Sequence, residues 1–237
     1  TKQPKGMPHM NTNIDIARQN ASGFALEQNR VLRNTYMLLG LSMIPTVLGA
    51  LVGIQMGFSF FAGSPMISFV LFLGIAWGFM WGIEKNKNSG LGVALLLGFT
   101  FFMGLMLSRI LQVALGFSNG GSMIALAAGG TGAIFFTLSS VAAVSKRDFT
   151  GMGKFLFAGM ILILLAAVAN IFFQIPALSL TIAVAAVGIF SAYILYDISR
   201  IVHGGETNYI TATLAVYLDI YNLFVHLLNL LMALSGE

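Results

Sequence analysis

Cysteine is absent from this 237-residue chain, which excludes disulfides, a thiolate nucleophile, iron–sulfur clusters and Cys-ligated zinc. A chain without thiols is compatible with any redox compartment. Charge is nearly as scarce: Asp, Glu, Lys and Arg make up 8% of residues, against about 25% in soluble domains. Twelve basic and eight acidic side chains are too few to clothe a water-facing surface. A soluble globular enzyme, a disordered chain and a free nucleic-acid binder are therefore excluded. Histidine occurs only as His9, His203 and His226, so no histidine cluster is available to hold a metal. Nor does a Gly-rich phosphate loop, a zinc helix motif or a Ser/His/Asp set appear.

What is present is apolar. Hydrophobic residues account for 57% of the chain, gathered into seven runs: Tyr36–Gly57, Pro65–Ile83, Leu91–Leu115, Met123–Val144, Phe155–Phe173, Leu178–Tyr196 and Ile210–Leu234. Each approaches or exceeds the roughly 20 residues that cross a bilayer as a helix. Breakers or polar clusters separate them, such as Gly63-Ser64-Pro65, Asn119-Gly120-Gly121, Gln174-Ile175-Pro176 and His203–Asn208. Strand alternation of the β-barrel kind is not seen. The pattern predicts an all-α polytopic membrane protein: a polar tail over residues 1–33, then seven transmembrane helices within 34–237. The tail lacks the basic start and immediate apolar core of a secretory signal; a surface helix is conceivable within Ile14–Leu32.

Basic residues set the expected topology. With the tail in the cytoplasm, seven spans put Lys2, Lys5, Arg18, Arg30, Arg33, Lys85, Lys87, Lys146, Arg147, Lys154 and Arg200 on one side. The opposite loops carry no charge. The positive-inside rule then predicts a multi-pass protein with a cytoplasmic N-terminus and an external C-terminus. Gly49, Gly53 and Gly57, and likewise Gly74, Gly78 and Gly82, repeat at the four-residue spacing of close helix packing.

Three charges fall inside apolar runs, where each costs several kcal/mol. Arg109 sits near the outer end of the third helix and is expected to snorkel to the headgroups; an anion or lipid contact, or pairing with a buried carboxylate, are its sharper readings. Asp197 and Asp219 are too short to snorkel. They fall about 10 and 15 Å deep on antiparallel neighbours, so they can face each other across one seam. Asn208, Asp219, Asn222, His226 and Asn229 form a polar stripe on the seventh helix, which predicts a central position for it. Tyr193, Asp197 and Arg200 line one side of the sixth. Two facing carboxyls share a proton, and their mutual repulsion is relieved by helix separation or by a hard cation such as Ca²⁺. The pair is thus either a pH- and cation-sensitive latch or a protonated staple between helices. His226 is expected to pack in the bundle, and Asn222 and Asn229 to bond between helices.

The stretches Leu195-Tyr196-Asp197-Ile198 and Tyr217-Leu218-Asp219-Ile220-Tyr221-Asn222-Leu223-Phe224 resemble the signature of the Bax inhibitor-1 (transmembrane BAX inhibitor motif) family. Val31-Leu32-Arg33-Asn34-Thr35-Tyr36 and His203-Gly204-Gly205-Glu206-Thr207-Asn208-Tyr209-Ile210 are similar to its bacterial YccA-type members. The resemblance implies a seven-helix bundle with the last helix central. It also implies that Asp197 and Asp219 form a pH-sensing pair governing a calcium leak. From the YccA-type members it implies contact with the membrane-anchored AAA protease FtsH or its scaffold. An arginine that pairs with the acids in some calcium-leak members has no match in Trp81-Gly82-Ile83-Glu84-Lys85, leaving Lys85 or Arg200 as replacements. An intramembrane aspartyl protease also places one Asp on each of two helices. Its second acid lies in Gly-x-Gly-Asp, however, whereas Tyr217-Leu218 precedes Asp219, and Pro176-Ala177-Leu178 precedes both acids. No enzymatic activity is expected.

Overall fold

The computed structural model describes residues 9–58, 65–145 and 147–235, with the side chains of 9–22, 24, 25 and 65 left aside. Lys2, Lys5, Lys146, Glu237 and the Gly63-Ser64 breaker lie outside the described residues. Seven helices follow one another: α1 His9–Gln55, α2 Pro65–Lys85, α3 Gly90–Leu115, α4 Gly120–Val144, α5 Gly153–Phe173, α6 Pro176–Val202 and α7 Tyr209–Leu234, with a 3₁₀ turn at Thr150–Met152 before α5. All seven contain a stretch long and apolar enough to cross a membrane, and no strand occurs among the described residues.

Local chemistry sets the reversals. Gly57 (φ +59°) and Gly204 (φ +75°) take the left-handed conformation after α1 and α6, where a Cβ would be strained. Gln174 does the same without being glycine (φ 50°), closing α5 before Pro176 opens α6. Proline suits that place because its missing N–H would have no helical partner there.

The helices differ in how closely they pack. α1 and α3 meet backbone to backbone. A Cβ on Gly49 would lie 2.2 Å from the Phe101 carbonyl oxygen, one on Gly53 2.5 Å from Ser108 Oγ, and one on Gly104 2.1 Å from the Thr46 carbonyl oxygen. α7 packs against α1, α2, α3, α4 and α6, whereas among the described residues α5 packs only against α6 and the 3₁₀ turn. Aromatic rings fill the space between α2 and α3, Phe79 contacting Phe99 and Phe102.

Two expectations about glycine need correction, and the start of α1 adds one finding. Helix extends back through the polar segment, since α1 runs unbroken from His9 while its membrane stretch begins only at Leu26. Gly57 is a turn residue, not a packing one. Gly74 and Gly78 meet nothing within 4 Å, and Gly82 only the tip of Leu95 at 3.4 Å. Spacing alone cannot say which helix face has a neighbour, and the glycine face of α2 mostly has none.

Candidate functional site: a buried acid pair between α6 and α7

The start of α7 is pinned by Asn208. Its Oδ1 accepts from the Ile210 and Thr211 amides (2.9 and 3.3 Å), capping the helix. Its Nδ2 donates to the Lys87 carbonyl (2.9 Å) and Asn88 Oδ1 (2.8 Å) in the α2–α3 connection. Rotation about the axis is set by two tyrosines. The Tyr217 hydroxyl bonds Thr46 Oγ1 on α1 at 2.9 Å and reaches the Thr100 carbonyl on α3 at 3.5 Å. Tyr221 donates to the Met103 carbonyl at 3.2 Å. Asp219 lies about 200° around the helix from Tyr217, so anchoring the tyrosine to α1 and α3 turns the acid toward α6.

The end of α6 is secured as well. The amides of Gly205 and Glu206 both donate to the Arg200 carbonyl (2.8 and 3.2 Å). Ser199 Oγ accepts from the Phe149 amide (3.0 Å), and His203 Nδ1 donates to the Ser199 carbonyl (2.9 Å). Asp148, beside them in the α4–α5 connection, accepts from the Thr150 amide at 2.8 Å. That bond, helped by the Thr150 hydroxyl and His203, holds its carboxyl below the usual carboxylate range.

Between these anchors the carboxyls of Asp197 and Asp219 come within hydrogen-bonding range of each other. They are 8% and 6% exposed, in a seam walled by Ile194, Ile198, Val216 and Leu223, all fully buried. Asp219 Oδ2 has no N–H or hydroxyl donor among the described residues. Toward the basic end, Arg200 Nη1 lies 3.5 Å from Asp197 Oδ1, and Nη2 lies 3.8 Å from Glu206 Oε2. The guanidinium also sits over the Tyr196 ring, 5.7 Å from its centre. The result is a file of charges, Asp219–Asp197–Arg200–Glu206, running from the dry interior to the loop. Tyr193, tilted against Phe190 and edge-on to Tyr196, is in electrostatic range of both acids.

Arg200 is therefore the cation beside the acids. Lys85 instead lies over the Trp81 ring at 4.9 Å, and Arg109 is exposed with no ion pair among the described residues. Asn222 does not bond between helices, because its Nδ2 donates to the Leu218 carbonyl of its own helix (2.8 Å). Asn229 makes no interhelical bond either and lines a cavity with His226, which stacks on Phe190 at 6.0 Å. Among the described residues no group of three or more His, Cys, Asp or Glu gathers. The anchors Asn208, Tyr217 and Tyr221 were not foreseen; the Thr213, Tyr217, Tyr221 series at four-residue spacing was the available signal.

Fold and site together define a seven-helix membrane protein with a carboxyl pair buried between its last two helices. The family model described as "Inhibitor of apoptosis-promoting Bax1" matches residues 28–236, and the chain belongs to this Bax inhibitor-1 family. It is similar to "Modulator of FtsH protease YccA" of Escherichia coli K12, 38% identical over 87% of this chain and 91% of the relative. An uncharacterized protein of Neisseria meningitidis is 40% identical over 90% of this chain and 94% of its own length. An uncharacterized membrane protein of Vibrio cholerae is 38% identical over 94% and 97% respectively.

Proposed function

We propose that this protein is a non-catalytic, pH-sensitive cation leak or sensor whose gate is the Asp197–Asp219 pair. The observation that carries this reading is a dry carboxyl pair with Arg200 on its wet side, the one cation paired with either acid among the described residues. Two carboxyls in such a seam share a proton and hold α6 to α7; losing it sets like charges against each other in a low dielectric. Arg200, Glu206 and Tyr193 face the pair and tune that balance. Arg200 can follow Asp197 outward, toward Glu206, as the seam parts. Ca²⁺ prefers six to eight oxygens; this donor set is too small for a resident ion, so Ca²⁺ is cargo here.

The positive-inside rule places Lys87, Arg147 and Arg200 in the cytoplasm. A relative from another Escherichia coli strain is named "Inner membrane protein YccA", which supports an inner-membrane location. The test is calcium flux in liposomes from about pH 6 to about pH 8. Flux that changes with pH in the native chain and loses that dependence in Asp219→Asn is expected; flux indifferent to both overturns the gate.

A second reading has its own support, the similarity to a named modulator of FtsH protease. In that reading the protein acts by contact with the membrane protease or its scaffold, through α1 before Leu26. Pull-down from native membranes with and without residues 1–30 tests it: equal recovery of the protease removes the role of the segment.

A further inference from the structure

At the end opposite Arg200 and Lys87, a cavity of about 750 Å³ lies between α3, α5, α6 and α7. Its walls are mostly apolar, Val113, Phe117, Ile171 and Leu180 among them, with Asn170, Gln174 and Ser179 at the α5–α6 turn and His226 and Asn229 of α7 as its polar points. Asn170 and Ser179 bond each other (2.6 Å). His226 and Asn229 make no hydrogen bond to any described residue, and the His226 ring stacks on Phe190. Both lie within the span Tyr209–Leu234. A donor or acceptor at that depth without a protein partner is costly in hydrocarbon. A lipid chain filling the cavity would leave both side chains unsatisfied, whereas water would pair them, and the volume holds on the order of ten or more waters.

The position is telling. His226 and Asn229 stand about 10 and 15 Å along α7 from Asp219, on the same stripe, with Asn222 between. We propose that this cavity is a hydrated vestibule open to the side away from the basic loops. It admits water and small hydrated cations as deep as His226, as the external approach to the acid pair. Its role as an approach rests on the cation reading above; its hydration does not.

The natural absence of cysteine gives a clean background for the test. Asn229→Cys, His226→Cys and Ala233→Cys place thiols in the cavity. Leu165→Cys places one on the lipid face of α5, where the native side chain is 60% exposed and lies outside this cavity. A membrane-impermeant cationic methanethiosulfonate is added to right-side-out vesicles. Since the thiolate is the reacting form and needs water, the cavity thiols are expected to label at least about tenfold faster than Leu165→Cys. Ala233→Cys, near the mouth and small-for-small, keeps the test valid if His226→Cys does not fold. Labelling at the Leu165→Cys rate means a lipid-filled cleft and overturns the vestibule, as does labelling seen only in inside-out vesicles. Failure of the gate would instead appear in calcium flux with Asp219→Asn, which this labelling does not touch.

Discussion

α1 and α3 press together with carbonyl oxygens where side chains would normally be, while α5 leans on α6 and the short turn before it and leaves most of its surface to lipid. α7 belongs to the tight side, tied to α1 and α3 through Tyr217 and Tyr221. α6 carries the loose side. The acid pair lies on the α6–α7 seam, the extensive contact that joins the two sides.

The sharpest way to break this contrast is to put a side chain into the tight side. Gly104→Val drives a branched carbon into the Thr46 carbonyl and is expected to cost about 3 kcal/mol, while Gly74→Ala, facing open space, should change stability by less than about 0.5 kcal/mol. Unfolding in detergent measures both, and equal effects would erase the distinction. Asn208→Ala removes the α7 cap together with its ties to Lys87 and Asn88, a loss of about 1–2 kcal/mol by the same assay. Tyr217→Phe loses the bond that orients α7, about 1 kcal/mol, and should blur the pH response if that rotation aims Asp219. Arg200→Ala removes a partly exposed ion pair, so its stability cost should stay below about 1 kcal/mol; its larger effect should be a displaced pH midpoint for flux.

The smallest effect is expected at Asp148. Its carboxyl is held below the usual range by the Thr150 amide, so its contribution is present above the unfolded carboxylate value of about 3.9. That contribution is lost only as pH falls through the lower folded value. Asp148→Asn should therefore leave the pH 5–8 behaviour of the protein unchanged, which a flux profile over that window checks.

Much of this was legible beforehand. Apolar runs long enough to span gave the helices, since a bilayer tolerates few alternatives to a satisfied backbone. The depths of Asp197 and Asp219 followed from residue rise alone, and structure brings the two acids together. The roles of the small and polar residues were less legible. Gly104 escaped notice while Gly74 and Gly78 were expected to pack, because spacing defines a stripe without naming what faces it. Asn222 satisfied itself on its own helix, an option any asparagine has and sequence cannot discount.

Composition and order by themselves determined that this chain lives in a bilayer, crosses it seven times and buries two acids near one turn. Those properties depend on hydropathy, length and rise, which are local. Tertiary structure decided that Arg200 and not Lys85 stands beside the acids, that Tyr217 aims α7, and that His226 and Asn229 open onto a cavity. Each of these depends on how a helix is rotated and which neighbour it meets, and that is settled only when all seven pack at once.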